Sequence, residues 1–288
     1  MSAPFALSAS FIGRLAMLGL VALTTGCGLF EDDGSSERAS EDRSAQEIFR
    51  DAEAELADGN GVVAAQGFDE VERLYPFSQL AKRAVIMSAF ASYESGDYPN
   101  ARASASRYLD LYPSDEDAAY AQYLIAVSYY DNIIDIGRDQ AITRDALREL
   151  QEVVRRYPDS DFARDAQLKI DLTNDHLAAK EMDVGRYYLK RGHYAAAINR
   201  FRLVIERYQT TNQTPEALHR LVEANLALGL EQEAIDAAAV LGHNFRGSDW
   251  YANSYALLTG RDLLPPDADA EDGFFSRVYR RVVQGKWL

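Results

Sequence analysis

The chain repeats itself, and the repeat leaves few folds open. Three segments end alike: Glu72-Arg73-Leu74-Tyr75-Pro76, Leu109-Asp110-Leu111-Tyr112-Pro113 and Val154-Arg155-Arg156-Tyr157-Pro158. A fourth, Ile205-Glu206-Arg207-Tyr208-Gln209, keeps the tyrosine and loses the proline. Counting back from each terminal position gives one frame. Twelve residues before stand Ala64, Ala101, Ala146 and Ala197; eight before, Phe68, Ala105, Leu150 and Phe201; five before, Val71, Tyr108, Val153 and Val204. Steps of four and three residues place these side chains on one helical face. Proline then falls where the helix must stop.

Polar starters come after the prolines. Ser78, Ser114, Asp159 and Ser160 stand there, and Ser114 with Asp117 has the pattern of a capping box. Gly96 and Gly192 lie between helical segments, where a tight helix–helix turn needs a flexible residue, and Gly229 has that place in a fifth unit carrying Ala234, Ala238 and Leu241 at the same offsets. Helix, glycine turn, helix and proline at about 34 residues per unit resembles the tetratricopeptide repeat. The expected fold is all-α: five helical hairpins stacked over about residues 45–244, within a solenoid domain placed at 45–260, curved so as to leave a concave groove. The terminal positions are 37, 45 and 51 residues apart, so units three and four carry insertions.

Ahead of the repeats lies an address. Residues 1–26 hold one charge, Arg14, followed by the apolar run Leu15 to Leu23 and then Thr24, Thr25, Gly26 and Cys27. This is the layout of a secretory signal peptide, and the run is too short to span a bilayer. Small residues immediately before the only cysteine resemble a bacterial lipoprotein cleavage box, although Thr24 stands where leucine is usual. The resemblance implies removal of residues 1–26 and attachment of lipid to Cys27, as an N-palmitoyl chain and an S-diacylglycerol. Residues 28–44 (GLFEDDGSSERASEDRS) are acidic, serine-rich and almost free of large apolar groups. They read as a flexible tether, and with Cys27 they form a separate segment, 27–44.

Charge and motif content narrow the function. Of the formal charges, 45 are acidic and 30 basic, a net of −15. Such a surface argues against sequence-independent nucleic-acid binding. His176, His193, His219 and His243 are scattered without metal-ligand spacing and read as helix-surface or turn residues; there is no Gly-rich phosphate loop and no nucleophile elbow. The chain therefore reads as a non-enzyme without a metal or diffusible cofactor.

The middle of the chain is more specific than generic repeats. Residues 120–140 (YAQYLIAVSYYDNIIDIGRDQ), 169–201 (KIDLTNDHLAAKEMDVGRYYLKRGHYAAAINRF) and 238–250 (AAVLGHNFRGSDW) resemble the BamD family, as do the lipid box and the segment Val71 to Pro76. These are tetratricopeptide lipoproteins of the β-barrel assembly machinery of Gram-negative outer membranes. The resemblance runs from about Ala45 to Tyr255. It implies anchoring on the periplasmic face of the outer membrane, with Gly28 after the cysteine compatible with that destination. It also implies docking of the C-terminal repeats on the periplasmic domains of BamA, company with other lipoproteins of the complex, and reception of unfolded outer-membrane proteins, the N-terminal repeats being associated with their C-terminal targeting segment. A periplasmic adaptor for cell-wall enzymes or cell division remains as the alternative.

Three groups of residues are candidates for contact with partners. Tyr120, Tyr123 and Tyr130 crowd the first helix of unit three, where amphipathic rings suit either a peptide groove or the core. Ile133 and Ile136 beside Arg138, Asp139 and Gln140 make an apolar loop with a polar tip, a contact loop or one folded over its own hairpin. Arg186, Lys190 and Arg200 concentrate positive charge on an acidic protein and suit either an acidic partner or helical ion pairs. The last segment, 261–288, reads as a linker and a basic amphipathic helix. Phe274, Val278 and Val282 form one row with Phe275, Tyr279 and Val283 beside it, to cap the solenoid, meet lipid or dock on a partner.

Overall fold

The computed structural model describes residues 43–265, 268 and 273–284. The leader, Cys27, nearly all of the tether, and Pro266 with the acidic run after it lie outside the described residues. The chain divides after Ser44, and the described helices all belong to the unit from Ala45 onward.

Twelve helices make up the described part: α1 (Ala45–Ala57), α2 (Gly61–Leu74), α3 (Gln79–Glu94), α4 (Tyr98–Leu111), α5 (Ala118–Tyr130), α6 (Ala141–Arg156), α7 (Asp161–Lys190), α8 (Tyr194–Arg207), α9 (Thr214–Leu228), α10 (Glu231–Asn244), α11 (Asp249–Thr259) and α12 (Phe274–Gln284). The first ten pair in sequence as five hairpins, and the repeat positions read from the sequence explain why. Ala64, Phe68 and Val71 on α2, and their counterparts on α4, α6, α8 and α10, are all wholly buried. The small residue lets a neighbouring helix approach, and the third residue fills the space enclosed, with Phe68, Leu150 or Phe201 beside it on α2, α6 and α8; on α4 and α10 the middle residue is a second alanine, Ala105 or Ala238.

Each second helix ends the same way. Tyr75, Tyr112, Tyr157, Tyr208 and Phe245 occupy the C-cap with φ between −129° and −137°, and each donates its backbone N–H to the carbonyl four residues back. The carbonyl of each cap then accepts an N–H from three residues on, Ser78, Asp115, Ser160, Thr211 and Ser248, at 2.9–3.2 Å. Proline enforces this exit in the first three turns by removing a donor. Tyr208 and Phe245 make it without proline, so the hydrogen-bonded turn suffices. Ser78, Ser160 and Ser248 also cap the following helices, each side chain accepting an N–H three residues on. The capping box expected at Ser114 does not form. Helix α5 starts four residues later, and Asp115 organises the turn instead, accepting from Lys82 Nζ at 2.6 Å, Tyr108 Oη at 2.5 Å and the N–H of Asp117 at 3.2 Å. These donors, Lys82 foremost, lower the Asp115 carboxyl to about 2.

Within the hairpins, Gly96, Gly192 and Gly229 have φ of 75–76°, the left-handed conformation that the glycine reading required. Across the first three hairpins the turns inside hairpins lie along one edge of the stack and the turns between them along the other; the later turns are displaced along the long α7, Asn212 donating its N–H to Asp175 at the middle of that helix at 3.1 Å. Successive first helices touch (α1 with α3, α3 with α5, α5 with α7), while the second helices make no comparable contacts with one another. The stack thus closes on the side of its first helices.

The two insertions take different forms. In unit three it is a loop, 131–140. In unit four it is an extension of α7, which runs 30 residues without interruption while the other first helices have 11–16. At 1.5 Å per residue α7 is roughly 45 Å long. It spans two core clusters, Ala166 and Ile170 packing with Leu150 and Val153, and Ala178 and Met182 packing with Ala197 and Phe201. Helix α12 closes the far end. Phe275, Val278 and Val282 are buried against the last repeat, Tyr279 stacks on His243 at 3.7 Å, and Arg281 pairs with Asp236 at 2.9 Å. Capping is the role that the packing gives this helix; its buried stripe runs between the two rows read from the sequence.

Candidate partner-binding surface

The first-helix side of the first three hairpins carries a groove. On α3, Ala81, Ala84, Val85, Ser88, Ala89, Ala91 and Ser92 are used up in packing. Met87 and Phe90 are left half-buried at the surface. Together with Arg83, Ile86, Asp117 and Tyr120 they line a hollow of about 350 Å³. Phe90 also borders a second hollow of about 270 Å³, with Leu56, Gly59, Gly61 and Glu94. The shared ring joins the two into one trough crossing α1, α3 and α5. The hollow beneath Met87 and Tyr120 is mainly apolar and the other is mixed, and Arg83, Glu94 and Asp117 place both signs of charge around them, as suits an extended peptide.

Of the tyrosines named from the sequence, Tyr120 alone lines this trough. Burial, with the charges of Glu94 and Asp117, pushes its hydroxyl up to about 12, so it stays a neutral donor and acceptor. Tyr123 faces α7 instead, its ring 5.2 Å from Phe162 and its hydroxyl donating to Asp165, and joins the α5 and α7 cores. Tyr130 packs on the same core with Lys169 Nζ 5.4 Å from its ring centre. Met87 and Phe90 escaped the sequence reading because α3 is apolar nearly all round. Met87 packs partly against the α1–α2 core and Phe90 against the core of α3 to α5, so no spacing rule sets them apart.

The loop of unit three is half folded and half presented. Gln140 is corrected from a contact residue to an internal clamp. It is buried, its amide donates to the carbonyls of Arg138 (3.0 Å), Asp135 and Ile136, and its oxygen accepts from Thr143 at 2.9 Å. Both N–H groups of this amide are engaged inside the loop, which leaves it no donor for a partner. Ile133 and Ile136 are half-buried, Arg138 and Asp139 exposed, and Lys180 on α7 holds the loop through the carbonyl of Gly137 at 3.2 Å. The basic group is also dispersed. Arg186 pairs with Glu216 on α9 at 3.1 Å, Arg200 pairs with Glu181 at 2.9 Å, and Lys190 is exposed at the end of α7. The two arginines thus tie α7 to its neighbours, and little uncompensated positive charge remains there.

Comparison with known proteins supplies what the geometry does not. The profile of the YfiO family, described as outer membrane lipoprotein, matches residues 41–241. The chain belongs to this family. It is 48% identical over 243 residues to the outer membrane protein assembly factor BamD of Caulobacter vibrioides, covering 84% of this chain and 80% of that one. It is 42% identical to the Rickettsia prowazekii protein of the same name, over 68% of this chain and 78% of that one, and 30% identical to that of Neisseria meningitidis serogroup A, over 75% and 85%. As a YfiO-family protein the chain is an outer membrane lipoprotein and a helical-repeat scaffold, not an enzyme. Among the described residues no helix is long and apolar enough to cross a membrane, and no three His, Cys, Asp or Glu side chains are grouped to hold a metal.

His219 departs from the surface role expected of it. It is buried between α9 and α11, its Nδ1 2.8 Å from Ser254 Oγ and its ring 5.3 Å from Trp250. Burial holds the imidazole below its ordinary 6.5; Arg220 pushes the same way, and Glu223 and Glu216 oppose. The unfolded chain therefore takes up this proton before the folded one does. Stability from this residue is present above about pH 6.5 and falls as pH drops below it, by at most about 1.4 kcal/mol per pH unit. Urea midpoints at pH 7.5 and 5.5 should differ less for His219→Gln than for the wild type; an equal difference refutes the assignment.

Proposed function

We propose that the chain is the BamD of its β-barrel assembly machinery: a scaffold held to the outer membrane through Cys27, docking on BamA and on companion lipoproteins, and receiving unfolded barrel proteins. The observation that carries this reading is the 48% identity over 84% of the chain to a protein named as an outer membrane protein assembly factor. The trough across α1, α3 and α5 supports a division of labour. Its two hollows suit the alternating side chains of an extended client segment, which leaves α7 to α12 for BamA. Such docking would use Lys190, exposed at the end of α7, and the loop of unit three that Lys180 holds beside α7, where Arg138 and Asp139 are exposed next to half-buried Ile133 and Ile136.

Depleting the protein should lower barrel-protein levels in the outer membrane. Pull-down from solubilised membranes should bring BamA; recovery of cell-wall enzymes without BamA would favour the adaptor alternative. The trough has its own test. Phe90→Asp puts an unpaired charge on the shared wall and should weaken capture of C-terminal barrel peptides about tenfold or more, with BamA still bound. Unchanged peptide capture would place the client site elsewhere.

A further inference from the structure

The turn between α2 and α3 presents a side chain that the fold does not ask for. Phe77 has a relative exposure of 101%, against 65% for Leu168, the next most exposed large apolar side chain among the described residues. The four turns between hairpins and the turn that leads from the last hairpin into α11 are built alike, so their third positions can be compared. They hold Phe77, Ser114, Asp159, Thr210 and Gly247. Four are small or polar, and the turn closes in each case, so the aromatic ring is not needed to make it. Nor is it loose: the carbonyl of Tyr75 accepts the N–H of Ser78 at 2.9 Å, the Ser78 hydroxyl accepts the N–H of Ala81 at 3.1 Å, and Pro76 fixes the backbone between. The ring is held outward on a braced turn.

Where this turn lies suggests what meets it. Helix α1 begins at Ala45 on the edge that carries the turns between hairpins, so residues 28–44 join the fold on the edge where Phe77 projects. The acidic, serine-rich composition of those seventeen residues is that of a flexible tether, for which the reach is roughly 20–25 Å. Leu74 to Ala81 (LYPFSQLA) carries no charge, so this stretch can enter a headgroup layer without desolvating an ion. Leu111, 53% exposed at the end of α4, and Pro76 and Pro113 add apolar surface along the same edge.

We propose that Phe77 is a second membrane contact, inserting at the boundary of headgroups and acyl chains and fixing the orientation of a domain whose acyl anchor alone would let it swivel. The proposal rests on the anchoring through Cys27 put forward above. The occupant is a lipid surface, because the chain on this edge leads to the acylated residue.

The test uses the acylated full-length protein in phosphatidylethanolamine–phosphatidylglycerol vesicles. Cys27 is the only cysteine, and acylation occupies it, so Phe77→Cys supplies a single free thiol for a polarity-sensitive fluorophore. Val63→Cys, exposed near the start of α2 on the opposite edge, is the control. Nitroxide-bearing lipids should quench the probe at 77 at least about twofold more than the probe at 63. In the unlabelled protein, amide exchange over 74–81 should slow on vesicles, and Phe77→Ser should abolish the slowing. Co-flotation with vesicles reports the anchor separately. A chain that floats yet shows equal quenching at both positions and unchanged exchange overturns the proposal and leaves the anchor standing. A chain that does not float removes both. Protection of 74–81 that needs BamA rather than lipid also overturns it.

Discussion

Phe201→Ala should destabilise the C-terminal half of the stack by about 3–5 kcal/mol, the range for emptying a buried phenylalanine site. Phe201 is wholly buried on α8, and it faces Gly185 in the C-terminal half of α7. A Cβ built on that glycine would lie 2.4 Å from Cε1 of the ring and 2.9 Å from Cδ1 and Cζ. This contact predicts a change of sign. In an ordinary helix interior Gly→Ala stabilises by up to about 1 kcal/mol. Here Gly185→Ala forces the ring out of a packed site, and overpacking of that kind costs about 1–3 kcal/mol. In the Phe201→Ala background the obstruction is gone, and Gly185→Ala should become stabilising. A double-mutant cycle from urea unfolding measures this coupling directly. Because each hairpin touches only its neighbours, hydrogen exchange should place the loss in α7 to α10 and leave α1 to α4 protected. If Gly185→Ala is stabilising in the wild type, the close approach of α7 and α8 is wrong.

Cys27→Ser should have the larger effect in the cell. Acyl chains contribute about 0.8 kcal/mol per buried methylene, and firm anchoring needs more than one chain. Without the thiol there is no attachment point, and the rest of residues 27–44 is too polar to hold a bilayer. Labelled fatty acid should fail to enter the protein, the chain should vanish from the outer-membrane fraction, and barrel proteins should fall as they do on depletion. Persistence of label in Cys27→Ser would move the anchor to another residue.

The hairpin repeat was legible because it is written in side chains that packing cannot do without. The three repeat positions of every second helix, an alanine, a middle residue that ranges from Ala105 and Ala238 to Phe68 and Phe201, and a branched or aromatic residue, are all wholly buried, and the glycines at 96, 192 and 229 all have positive φ. What escaped depends on contacts between units, which spacing does not encode. Ser114 and Asp117 have the right separation for a capping box, but the acceptor that the turn uses is Asp115, because Lys82 arrives from α3 and Tyr108 from α4. Gln140 sits in a polar loop tip by sequence, yet it is enclosed by that loop's own carbonyls. His219 reads as a surface residue until α11 brings Ser254 and Trp250 across it. The trough was visible only in part, through Tyr120, since Met87 and Phe90 lie on a helix with no polar face to set them apart. Membership in the YfiO family was legible too, but through long stretches of likeness and not through any single site.

The uninterrupted α7 gives the molecule a lever. A rod of roughly 45 Å, seated at one end beside α5 and α6 and at the other beside α8, converts a swing of about 5° into a displacement of about 4 Å at its far end. Because Arg186 and Arg200 tie the far half of α7 to α9 and α8, a displacement of that size would carry those two helices along with the rod.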